Sequence, residues 1–143
     1  WHEMDAPKHQ RFYFAASPAN QRSLTKRTYR YRLNEENDQV RSIVKNFDDE
    51  SFNAGVFLTD LAQWRREKAS ETMQQWLKDN TRVKMWRGGS QGPMLLYFYG
   101  KWTELDTSWN FRQPALGVSG GNITSSNIRI LHFSGEVKPW LPN

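Results

Sequence analysis

Phe52-Asn53-Ala54-Gly55-Val56-Phe57-Leu58-Thr59-Asp60-Leu61 changes its hydrophobic rhythm once, and that change decides what kind of fold is being read. Residues 52–58 have the composition of a buried strand, interrupted by Asn53 and Gly55 where a side chain must turn or a backbone approach closely. Asp60 then offers a carboxylate to the open N–H groups of a helix start. Leu61, Trp64, Met73, Trp76 and Leu77 lay an apolar stripe from there down to Asn80. Ser70 followed by Glu71 is a second start signal, so the stripe reads as one bent helix or as two short ones.

Upstream, Val40, Ile43 and Val44 recur at helical spacing and predict a short amphipathic helix over residues 38–45. Residues 12–16 are a short apolar patch with strand character in a basic segment broken by Pro7 and Pro18. Downstream, Arg87-Gly88-Gly89-Ser90-Gln91-Gly92-Pro93 has loop composition, and Pro93 suits the first turn of a helix over 94–99, although an apolar strand has the same pattern. A Gly- and Ser-rich loop over 114–126 precedes a predicted strand at 127–133.

The 143 residues fit one domain or a piece of one, and seven Trp, eight Phe and five Tyr supply the bulk of a packed core. With no cysteine the chain has neither a disulfide framework nor a thiolate metal site. No apolar run approaches the ~20 residues of a membrane span. The net charge of +5 is local: residues 6–34 hold seven Lys or Arg and no acid. Phe12, Tyr13, Phe14, Tyr29 and Tyr31 are interleaved with those cations, a pattern compatible with phosphate pairing and base stacking. The simpler reading is a solvated face, and no nucleic-acid partner is expected. One sequon, Asn122-Ile123-Thr124, follows a turn-like Ser119-Gly120-Gly121.

The densest chemistry is His132-Phe133-Ser134-Gly135-Glu136-Val137-Lys138-Pro139-Trp140. A neutral imidazole at a strand end can ligate a divalent cation, a glycine lets backbone approach a phosphate, and a lysine sets a compact positive charge against diphosphate oxygens. Pro139 and Trp140 are expected to stiffen and bury the exit. The pattern His-x-x-Gly-x-x-Lys-Pro-Trp resembles the C-terminal signature of glycosyltransferase family 8. The stretch from Phe52 to Leu61 with Trp64-Arg65 resembles the family's Phe-Asn-Ser/Ala-Gly-Val strand and following helix, and Leu105-Asp106-x-x-Trp109-Asn110 lies between the two. The chain looks most like the glycosyltransferase 8 domain-containing and galacturonosyltransferase-like branch.

That resemblance implies an α/β fold: one unit over 1–143, the C-terminal portion of a GT-A domain, with a mixed sheet, flanking helices and the nucleotide-binding half further upstream. It implies a retaining hexosyltransferase that moves sugar from a UDP-sugar donor to a glycan, protein or small-molecule acceptor, using manganese. By resemblance His132 ligates the metal, Gly135 and Lys138 contact the diphosphate, Asn53 and Gly55 line the sugar pocket, and Asn53 and Gln91 are the catalytic candidates. Trp64, Trp76 and Trp109 are expected in the core. The branch and the sequon point to a Golgi or endoplasmic-reticulum lumen, with a cytoplasmic location open and membrane attachment only through segments absent from this chain.

Two departures accompany the match. The family's Asp-x-Asp is absent, Asp48-Asp49-Glu50 being misplaced beside Phe52, and Ser90-Gln91 stands where many members have Asp-Gln. The isolated chain is therefore expected to be weak or inactive. A carbohydrate- or nucleotide-binding remnant is the alternative, and a nucleic-acid module built on the basic segment is a more distant one.

Overall fold

The computed structural model describes residues 13–19, 27–112, 127–133 and Trp140. Strand β1 (Phe14–Pro18) is central, pairing antiparallel with β2 (Phe52–Thr59) and parallel with β3 (Thr103–Glu104). The sheet is therefore mixed, in the order β2-β1-β3. β1 is buried throughout, whereas β2 lies on the edge and is buried only at Phe52. The buried strand expected at 52–58 is thus a half-exposed one, because only one of its flanks is paired.

Helix α1 (Asp38–Ile43) begins where the Asn37 side chain accepts from the Val40 amide, and it buries Val40. Asp60 caps α2 (Leu61–Arg66) as expected, accepting from Ala62 and Gln63. The apolar stripe is two helices: Lys68 adopts φ 52°, ψ 41°, and α3 (Ala69–Asn80) starts afresh behind it. The break shifts the helical phase, so Met73 is buried while Leu61 and Leu77 are exposed.

Helix α4 (Gln91–Tyr97) starts earlier than expected, with Pro93 in its first turn, and is not a strand. Gly92 is required there by space, since a Cβ at that position would lie 2.2 Å from Trp86 Cγ. A second, two-stranded parallel sheet joins β4 (Phe111–Arg112) to β5 (Leu131–His132). The strand expected over 127–133 is confined to β5 because the Arg129 and Ile130 amides both donate to the Ser108 carbonyl instead of a ladder.

The core forms where β1 and β2 meet α1 and α4. Phe14 and Phe98 stack with centroids 3.9 Å apart, and Phe52 lies 5.1 Å from Phe14. Trp64 and Trp76 pack against this cluster and Trp109 against a smaller one around Ala15 and Leu105, as expected for core tryptophans. Phe14 and Tyr29 are buried, so neither can stack on a nucleobase. Trp140 is 73% exposed, contrary to the expectation that it buries the exit.

Candidate functional site

The β1–β2 register carries the site. Ala16 pairs with Phe57 but the next residue, Ser17, pairs with Asn53, so Ala54, Gly55 and Val56 have no opposite number. Strand β2 must bow at this bulge. There Gly55 meets His132 of β5: a Cβ on Gly55 would lie 2.0 Å from His132 Cε1 and 2.5 Å from Nδ1. The expected close approach at Gly55 is therefore against the imidazole.

Hydrogen bonds lock the contact. The Gly55 amide donates to Asn53 Oδ1 at 2.9 Å, and Asn110 Nδ2 donates to the same oxygen at 3.0 Å. Asn110 Oδ1 then faces His132 Nδ1 at 2.8 Å. A backbone N–H can only donate, so Asn53 must present its oxygen to Gly55 and Asn110 its amide nitrogen to Asn53. The Asn110 oxygen is left for His132, which must carry its proton on Nδ1. In the neutral ring this leaves the lone pair on Nε2, the arrangement of histidine metal ligands whose other nitrogen donates to a neighbour.

Asn110 is fully buried at the end of a 3-10 turn, Thr107–Asn110. Asp106 caps that turn; hydrogen bonds from the Ser108 side chain first, then its amide, hold the Asp106 carboxyl below the usual carboxylate range. The role of Asn110 lies in partners 22 and 57 residues away, which no local pattern shows. The Trp109-Asn110 pair was the only local signal.

Asn53 and Gln91 share a shallow cleft of about 20 Å³ with Arg27, Tyr31, Arg32 and Arg112. Gln91 Nε2 donates to the Phe52 carbonyl at 2.8 Å, which ties the first turn of α4 to the start of β2. Gln91 Oε1 and Asn53 Nδ2 have no partner among the described residues. The cleft therefore offers one acceptor and one donor, the complement of a hydroxyl group.

The structure thus brings together Asn53, Gly55 and His132, and places Gln91 beside Asn53. Gly135 and Lys138 lie outside the described residues, as does the sequon. Asp48 and Asp49 have other work: Asp48 pairs with Arg30, and Asp49 accepts from Tyr99 and Asn46. Among the described residues no three His, Cys, Asp or Glu side chains cluster to hold a metal ion.

The family model for glycosyl transferase family 8 matches residues 10–143. Glycosyltransferase 8 domain-containing protein 1 of Bos taurus is 30% identical over 117 residues, covering 76% of this chain and 31% of that protein. Two Arabidopsis thaliana relatives also match. Probable galacturonosyltransferase-like 8 is 34% identical over 97 residues, 63% of this chain and 24% of the relative. Probable galacturonosyltransferase 12 is 33% identical over 104 residues, 70% and 19% respectively. The chain spans less than a third of the length of these curated relatives. No solved structure matches.

Proposed function

From the premise that this chain belongs to glycosyltransferase family 8, we propose that it forms the acceptor-side and diphosphate-side part of a retaining hexosyltransferase acting on a UDP-sugar. The observation that carries this reading is the hydrogen-bond chain from the Gly55 amide through Asn53 and Asn110 to His132. It ties the Asn53 carboxamide and the His132 imidazole together, β2 against β5, which supports giving the first the sugar and the second the metal.

The division of labour follows from these groups. Asn53 Nδ2 donates to a donor-sugar hydroxyl and Gln91 Oε1 accepts from one, which orients the anomeric carbon. His132 Nε2 would hold manganese together with carboxylates supplied by other parts of the protein, and bound manganese would offset charge on the diphosphate. Gly135 and Lys138 would contact the diphosphate oxygens. In the transfer the anomeric C–O bond to the diphosphate breaks, its electron pair stays on the diphosphate oxygen, and the acceptor hydroxyl attacks on the same face. The acceptor's proton passes to the departing diphosphate oxygen, so no protein carboxylate is needed as base. Lys138 stabilises the growing charge.

The Golgi or endoplasmic-reticulum lumen is the compartment that suits this reading; among the described residues no helix is long and apolar enough to cross a membrane. Calorimetry of UDP binding with and without manganese tests the proposal. Manganese-dependent binding that a His132→Ala variant loses supports it. Sugar binding indifferent to metal and to His132 would replace it with a carbohydrate-binding remnant.

A further inference from the structure

Strand β5 carries the His132 imidazole on a segment that buries little. No residue over 127–133 is buried, and Ile130 and Leu131 are 36% and 48% exposed. Hydrophobic stabilisation scales with the apolar area withdrawn from water, so it does little to fix this segment. Among the described residues, the polar contacts that place it converge on 108–111. The Arg129 and Ile130 amides both donate to the Ser108 carbonyl, at 3.0 and 3.1 Å, and the Phe111 amide donates to the Ile130 carbonyl at 3.0 Å. The Arg129 guanidinium carbon lies 5.7 Å from the centre of the Trp109 ring. Asn110 adds its bond to His132 Nδ1.

That platform is only as firm as the turn beneath it. A 3-10 turn has poorer hydrogen-bond geometry than an α-helix, and Thr107–Asn110 is capped by Asp106. The Asp106 carboxylate accepts from the Ser108 amide at 2.8 Å and from the Ser108 hydroxyl, so both bonds grip the residue whose carbonyl receives β5. The Asp106 carbonyl accepts from the Trp109 amide at 3.0 Å. On its other side Asp106 is tied to the centre of the sheet. The Leu105 amide donates to the Ala16 carbonyl at 2.9 Å, and the buried Ser17 hydroxyl donates to the Leu105 carbonyl at 3.2 Å. Ser17 is also the residue that pairs with Asn53 across the β1–β2 bulge. One point on β1 therefore anchors both ends of the Asn53–Asn110–His132 chain.

We infer that Asp106 is a positioning residue for His132: acting through the Ser108 carbonyl and the Asn110 side chain, it sets where the imidazole stands and keeps its Nδ1–H on Asn110, without touching sugar, diphosphate or metal. This rests on the transferase reading above and adds a residue to it. Loss of the cap then weakens manganese-linked UDP binding by displacing an imidazole that is still present.

Three variants of the full-length protein test it: Asp106→Ala, Asp106→Asn, which keeps a capping oxygen, and Asn37→Ala, which removes the cap of α1 instead. The readouts are the hydrogen-bonded imidazole N–H proton in the NMR spectrum of histidine-labelled protein, assigned by its absence from His132→Gln, the manganese-dependent affinity for UDP, and the thermal midpoint. Asp106→Ala should lose the N–H resonance and bind UDP with manganese about ten-fold more weakly. Asp106→Asn should restore both, and Asn37→Ala should lower the midpoint while leaving both intact. Retention of the resonance and the affinity in Asp106→Ala overturns the inference, as does an Asp106→Asn protein that behaves like it. Equal losses in Asn37→Ala also overturn it, since global stability would then be the cause. Should Asp106→Ala not fold, Ser108→Ala, which removes only the hydroxyl bond, takes its place with an expected loss of about three-fold, and an unchanged affinity there overturns the inference. Wild-type protein that binds UDP indifferently to manganese sinks the transferase reading instead, and the imidazole resonance still decides the role of Asp106.

Discussion

A single missing methyl group holds the site together. Gly55→Ala would drive its Cβ into His132 and against Asn53 Oδ1, 2.8 Å away. The imidazole must then leave Asn110, at a cost of about 1–3 kcal/mol, and manganese-dependent UDP binding should fall with it. Urea denaturation and calorimetry on the same variant measure both. Asn110→Ala leaves the part-buried His132 Nδ1 without its acceptor and Asn53 Oδ1 with the Gly55 amide alone, and should cost about 1 kcal/mol; His132→Gln, which removes only the imidazole, should be milder in urea yet equally damaging to metal-linked binding. Sequence gave access to Asn53, Gly55 and His132 because each stands in a motif or breaks a strand. Asn110 stands in the Leu105-Asp106-x-x-Trp109-Asn110 stretch, but its role is not legible there: a buried asparagine is defined by its partners, and these are brought close only by folding. Gln91 was readable as a position but not as a bond, since its contact with the Phe52 carbonyl bridges 39 residues.

Helix starts were the most legible elements, for a cap is a local event. Asn37 and Asp60 both do what their side-chain chemistry dictates. Asn37→Ala should lower stability by about 1 kcal/mol, read from the urea midpoint. Asp60 has its carboxyl lowered by the amides of Gln63 and then Ala62. A folded-state value below the unfolded one means the stabilisation is full above the unfolded carboxylate value, ~4, and fades as pH falls through the folded value. Asp60→Asn keeps the accepting oxygen and should flatten the acid side of the stability profile while changing little at pH 7. The boundary between α2 and α3 had no such signal. Lys68 takes a left-handed backbone with neither Gly nor Asn to announce it; Lys68→Gly relieves about 1–2 kcal/mol of strain against about 0.5–1 kcal/mol of added chain entropy, so the urea midpoint should rise slightly. The edge position of β2 was equally hidden, because which flank of a strand is paired depends on chain far from it.

At the scale of the molecule, Phe98 is where the elements converge. Its ring stacks on Phe14 and lies 5.5 Å from both Tyr13 and Trp64. Phe98→Ala should cost about 3–5 kcal/mol and lower the midpoint of every spectroscopic probe together, since β1, α2 and α4 all lose a common neighbour. Sheet order could not be read in advance: that β1 would be central, antiparallel to one neighbour and parallel to the other, is a property of closure and not of any local pattern. One further consequence follows from the chemistry of the Gly55–Asn53–Asn110–His132 chain. With the imidazole in its Nδ1–H form, every member is neutral, so dissolved ions have no charge there to screen. The arginines of the neighbouring cleft act through charge, and added salt, with a Debye length of about 10 Å at 0.1 M, weakens their reach. Ionic strength therefore separates the two halves of the site: a titration with sodium chloride should loosen whatever the guanidiniums hold while leaving the imidazole locked in place.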